Sequence, residues 1–164
     1  MNTQNQVGFI AAKIQELQTA ILHSHSNCLL KFPDSLAKTL QVDEVGCIWI
    51  TVKKPMQRVH EFDRSFHVAL NYYKKGAPFF LNVFGMARLI IDPEEINQLP
   101  PALEKEHKNE NLVLAVRILQ VNYYEKQQRI KQNSFQRLKQ SVFSLFTGEN
   151  DYYHFDMGGE KNCA

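Results

Sequence analysis

Histidine, cysteine and serine are the residues with which this chain could do chemistry unaided, and their spacing sets limits at once. His23 and His25 form a His-x-His pair, which in an extended segment puts both rings on one side. His60 and His67 flank a predicted strand. Rings spaced in this way can ligate a metal, but no acid–His–His spacing accompanies them, and no metal site is predicted. Ser24, Ser26 and Ser35 lack the Gly-x-Ser-x-Gly setting of an acyl-transfer nucleophile. The cysteines, Cys28, Cys47 and Cys163, are odd in number and show no Cys-x-x-Cys spacing. They are expected to be reduced thiols, with neither a disulfide framework nor a zinc site. No residue can be assigned as a catalytic acid or base.

Charge and length narrow the classes further. The 164 residues suffice for one domain with a real core, and 44% of them are apolar. A formal charge of +2, with acids interspersed among the bases, gives no case for nucleic acid. No apolar run is long enough to span a membrane, and the first residues do not read as a secretory signal. The expectation is a soluble cytoplasmic protein.

The elements that must position any site read in three blocks, as one domain over 1–164. Residues 7–23 form a helix, with Ile10, Ile14, Leu17 and Ile21 at helical spacing and its stripe covering one open end of a barrel. Residues 28–124 form the β region. Its strands are predicted at Cys28–Phe32, Leu36–Val42, Cys47–Val52, Phe66–Tyr73, Phe79–Ile91 and Leu112–Tyr124. A short amphipathic helix within Lys53–Ser65 carries the chain from the third strand to the fourth. Asp92-Pro93-Glu94-Glu95 starts another, which Pro100-Pro101 interrupts. Gly85, inside the fifth strand, predicts a bend, a bulge or a close backbone approach. Residues 126–157 are expected to form a helical extension with a basic stretch (Lys126–Lys139) and clustered aromatics. Strand five is apolar on both sides, Phe79, Leu81 and Val83 against Phe80, Phe84 and Met86. One set can fill a barrel while the other needs a partner surface.

This order of elements resembles the flavin-binding split barrel of the pyridoxamine 5′-phosphate oxidase-like superfamily, in its general-stress-protein branch. Three local matches carry the resemblance: the aromatic strand CIWIT, the basic residues of Lys54–Arg58 opening a short helix, and LNVFGMARLIID against the family's x-Gly-x-Ala-x-x-x-x-Asp strand. The implied fold is mainly β with flanking helices: a six-stranded antiparallel split β-barrel of the FMN-binding type. The implied assembly is a homodimer with a small-molecule ligand, FMN, in a cleft between subunits.

The resemblance also implies the site. The flavin phosphate would meet Lys38 on strand two, Thr51 on strand three, and Lys53, Lys54 and Arg58 beyond it; two or three convergent cations suit a phosphate. Trp49 would line the isoalloxazine, a flat ring matched by an aromatic wall. The sequence departs from the family at two points. Lys stands at position 38 where the family has Arg, and Pro55 removes a backbone donor where a phosphate would use one. Two readings follow: a flavin-dependent oxidoreductase of the pyridoxamine 5′-phosphate oxidase-like type, or a non-catalytic dimer binding flavin or another anionic planar ligand. In either, the tail aromatics are expected to pack over the partner's cleft.

Overall fold

The computed structural model describes residues 3–25, 31–56, 59, 62–97, 99, 101–108, 111–125 and 152–156. Its helices are α1 (Thr3–Leu17), α2 (Pro93–Asn97) and α3 (Pro101–Lys108). Its strands are β1 (Thr19–Ser24), β2 (Ser35–Val42), β3 (Cys47–Lys53), β4 (Ser65–Tyr72), β5 (Phe79–Ile90), β6 (Asn111–Glu125) and β7 (Tyr152–Asp156). The sheet runs β3-β2-β1-β4-β5-β6-β7, every neighbour antiparallel, and a further β3–β6 pairing closes six strands into a barrel.

Period-two burial decides which face of each strand fills the barrel. Phe79, Leu81, Val83, Ala87 and Leu89 of β5 are buried in the core, and so are Ile48, Ile50 and Val52 of β3. Their alternate neighbours face outward. The two ends of the barrel are plugged differently. At one end Ile10, Ile14 and Leu17 of α1 join the core, Phe9 meets Tyr123 edge-on at 5.4 Å, and the Lys13 ammonium lies 4.2 Å from the Phe79 ring centre. At the other, Phe32 packs against Phe62 and Phe66.

The first helix is shorter than its apolar spacing implies. It ends at Leu17, and Gln18 takes a left-handed conformation (φ 64°) whose carbonyl accepts from the Thr39 N–H at 2.7 Å. From there the period becomes two: Ala20 and Leu22 turn inward, while Ile21 is 50% exposed. The first strand is therefore Thr19–Ser24 rather than Cys28–Phe32; residues 26–30 lie outside the described set. Of the expected crossing helix, Val59 and Phe62 are buried and joined by a Phe62 N–H bond to the Val59 carbonyl (3.3 Å), and residues 57, 58, 60 and 61 lie outside the described set. Of the expected helical extension over 126–157, residues 126–151 and 157 lie outside the described set, and Tyr152–Asp156 form a strand paired with β6. Cys47 is disulfide-bonded, against the expectation of reduced thiols, and its partner is not among the described residues.

Other signals translate directly. Asp43 turns the chain between β2 and β3 by accepting the N–H groups of Val45 and Cys47 on one carboxylate oxygen, with Gly46 at φ 83°. Asp92 caps α2, its carboxylate accepting the Glu94 N–H at 3.0 Å, with Pro93 first in the helix. Pro101 likewise opens α3.

Candidate functional site on the outer face of β2 and β3

Position on the outer face of β3 follows from the inward set. With Ile48, Ile50 and Val52 inside, the side chains of Trp49, Thr51 and Lys53 stand in a row on the other face, roughly 7 Å apart. Lys38 of β2, exposed beside the inward Ala37, is the direct cross-strand partner of Thr51. Lys54 follows at the exposed end of β3. The fold thus gathers Lys38, Thr51, Lys53 and Lys54 at one corner, while Arg58 lies outside the described residues.

Thr51 is the unusual member of this group. It is 5% exposed, and its hydroxyl is buried without a hydrogen-bond partner. A buried hydroxyl in that condition forfeits about 1–3 kcal/mol. An acceptor brought to it would recover that loss. Neither β2 nor β3 itself carries Asp or Glu, so these two strands contribute cations and a hydroxyl to this face and no carboxylate. The donor chemistry fits a phosphate.

Trp49 stands on the same outer face as Thr51. It packs, half-buried, in a small outer cluster with Cys47, Ile90, Val113, Ala115, Ile96 and Leu99. Ile96 belongs to α2 and Leu99 to the α2–α3 connection, so these segments cover that part of the sheet. Glu95 of α2 accepts from the Arg88 guanidinium at 2.6 Å, tying α2 to β5. The pairing of strand-borne Arg88 with the acidic helix start at Glu94-Glu95 is the part of the site that the sequence signalled least, although both halves are visible there.

Other polar groups serve different ends. Tyr72 lies inside the barrel, 2.7 Å from the Thr39 hydroxyl, and burial pushes its own hydroxyl well above the ordinary tyrosine range. It is a core residue and not an acid–base group at neutral pH. His23 bonds Asp34 at 2.8 Å. Among the described residues no three His, Cys, Asp or Glu side chains come together as a metal site, and no helix is long and apolar enough to cross a membrane. A cavity of ≈ 380 Å³ lies between α1 and the β2–β3 turn, lined by Val7, Gly8, Ala11, Val42, Asp43 and Glu44 and by none of the predicted site residues.

Comparison with known structures settles the architecture. A Clostridium acetobutylicum protein related to general stress protein 26 of B. subtilis, of the pyridoxinephosphate oxidase family, superposes with a TM-score of 0.56 at 10% identity, covering 83% of this chain and 99% of that one. The general stress FMN/FAD binding protein of Xanthomonas citri gives a TM-score of 0.54 at 17% identity, covering 80% and 96%. The chain has the split-barrel fold. No family model and no curated protein matches its sequence. At these identities the fold is shared over nearly the full length of the split-barrel relatives, while the site residues are this chain's own.

Proposed function

We propose that this split-barrel protein binds FMN, with the flavin phosphate at Lys38, Thr51, Lys53, Lys54 and Arg58, and that it acts as a flavin-dependent oxidoreductase of the pyridoxamine 5′-phosphate oxidase-like type in the cytoplasm. The unpaired Thr51 hydroxyl beside Lys38 carries the reading, because it is a donor lacking the acceptor that a phosphate oxygen supplies. The flavin would provide the redox chemistry. The chain would provide the anchor: the lysines as point charges, and Thr51 as a fixed donor from a rigid strand. That a fold-sharing protein from Xanthomonas citri binds FMN/FAD supports the choice of ligand.

A homodimer belongs to the same proposal. Strand closure leaves β1 to β5 no free edge, so association would be face to face. The outer face carries Ile21 opposite Leu36, 50% and 71% exposed, together with Phe80, Phe84 and Met86 of β5. The ligand cleft would lie between the two copies.

The second reading, a non-catalytic dimer holding a flavin or another anionic planar ligand, is favoured by the placement of Trp49 inside an apolar cluster. Purified protein that is yellow and shows flavin absorbance, or that takes up added FMN, supports the first reading. Colourless protein that fails to bind FMN excludes it. Turnover of the bound flavin by a reductant and an oxidant separates the first reading from the second. Lys54→Ala and Arg58→Ala should each weaken FMN binding.

A further inference from the structure

We infer that Cys47 is joined to Cys163, and that this disulfide clasps the carboxy-terminal strand β7 to the barrel. The inference is independent of the flavin reading.

The choice of partner is narrow. The chain holds three cysteines, and Cys47 is disulfide-bonded. Either Cys28 or Cys163 supplies the second sulfur. A disulfide needs α-carbons within about 7 Å of each other, so the register of the strands separates the two.

Cys28 belongs to the far end of the barrel. Cys47 follows directly on the turn made by Asp43, and Asp43 and Glu44 line a cavity with Val7, Gly8 and Ala11 of α1. Cys47 therefore opens β3 at the end that α1 plugs. Cys28 lies between His25 and Phe32 in the sequence. The His25 N–H bonds the His67 carbonyl at 2.8 Å, and Phe32 packs with Phe62 and Phe66 at the opposite end. Continuing the pairing of Ala37 with Val52 sets Ser35, the first residue of β2, beyond Lys53. The length of β3, about 20 Å from Cys47 to Lys53, separates that level from Cys47.

Cys163 is led to the near end. Strands β3 and β7 share one flank of β6, and β5 takes the other. The last pair of β7 sets Asp156 against Gln120, and the first pair of β3 sets Cys47 against Arg117. Because β7 is antiparallel to β6, the chain at Asp156 is directed toward Cys47. The stretch of β6 from Gln120 to Arg117 measures about 10 Å. The chain from Asp156 to Cys163 can span about 24 Å, which bridges the gap with length to spare.

The pairing gives β7 a second fastening. This strand has five residues and stands outermost in the sheet, where short strands open most readily. The clasp holds the chain beyond it to the start of β3, beside the cluster that contains Trp49. It also closes the long loop from Cys47 to Cys163, and a cross-link restricts the unfolded chain more as its loop lengthens.

Peptide mapping tests the pairing. The full chain is oxidised with glutathione disulfide, which takes up the electrons and protons of the two thiols as two molecules of glutathione. Remaining thiols are alkylated, and the chain is cut with trypsin without reduction. Cleavage after Lys and Arg places the cysteines in Ile14–Lys31, Thr39–Lys53 and Asn162–Ala164. The expected result, from protein of monomer mass on a non-reducing gel, is Thr39–Lys53 joined to Asn162–Ala164 with Ile14–Lys31 alkylated. Thr39–Lys53 joined to Ile14–Lys31, or all three alkylated, overturns the inference. Hydrogen exchange tests the clasp. Cys163→Ser should speed exchange of the amides that pair β7 with β6 by at least about tenfold, and Cys28→Ser should leave them unchanged. Unaltered exchange in Cys163→Ser overturns the clasp even where the peptides are linked.

Discussion

Gly85 on β5 lies against the main chain of Arg117 on β6: a Cβ at Gly85 would sit 2.5 Å from the Arg117 carbonyl oxygen and 2.8 Å from Val116 Cγ1. The pairing of β5 with β6 shifts register at the same place, between Phe84 and Gly85. The barrel wall turns here because one residue has no side chain. Gly85→Ala must push apart two hydrogen-bonded strands, and a loss of at least about 2 kcal/mol is expected. Urea denaturation with the midpoint compared at constant slope measures it.

Thr51→Val should have opposite effects on stability and on binding. Removing an unpaired buried hydroxyl stabilises the ligand-free protein by about 1 kcal/mol. The same change removes a phosphate donor, so FMN affinity should fall. Thermal unfolding without ligand and an FMN titration give the two signs. A variant less stable than the parent means that the hydroxyl has a partner.

Lys38→Ala should weaken FMN binding by about tenfold, the scale of one charge-assisted hydrogen bond, with a smaller salt dependence. Riboflavin, which lacks the phosphate, should bind both proteins equally. An equal loss for riboflavin would show that Lys38 acts elsewhere than at a phosphate.

Tyr72→Phe tests the one hydroxyl pair inside the barrel. At neutral pH it should cost about 1 kcal/mol, because Thr39 loses its partner. The pH dependence has a definite sign. Burial raises the Tyr72 hydroxyl above its unfolded value of about 10, so the folded state keeps a proton that the unfolded state releases. The stability this proton contributes is complete below pH ~10 and is lost as pH rises beyond it. The variant lacks that loss, so the difference between the proteins should shrink and then reverse in alkali. Denaturation at neutral pH and above pH ~10 checks it.

Most of the barrel was legible because its strands announce themselves by period. Phe79–Ile90, apolar on both sides in the sequence, alternates in burial, and Gly85 marked its irregularity in advance. The misplaced junction between helix and first strand has a local cause. Ile21 continues the three- and four-residue spacing of Ile10, Ile14 and Leu17, and nothing in a glutamine at position 18 signals a left-handed stop, a role usually given to glycine or asparagine. The site was legible in part. Lys38 and Thr51 were read onto adjacent strands, and the register sets them directly opposite. What strand patterns do not convey is the covering: Trp49 looks available until Ile96 and Leu99 are folded over it, a contact between segments some 50 positions apart along the chain.

β6 has two tenants on one flank. Up to Arg117 its backbone bonds β3, and from Gln120 onward it bonds β7. A chain shortened before Tyr152 would still close its ring, but it would leave the amides and carbonyls of Gln120–Tyr124 as an open template. Such a template recruits strands from other molecules. The carboxy-terminal strand fills that template from within the chain and becomes the outermost strand of the sheet in its place.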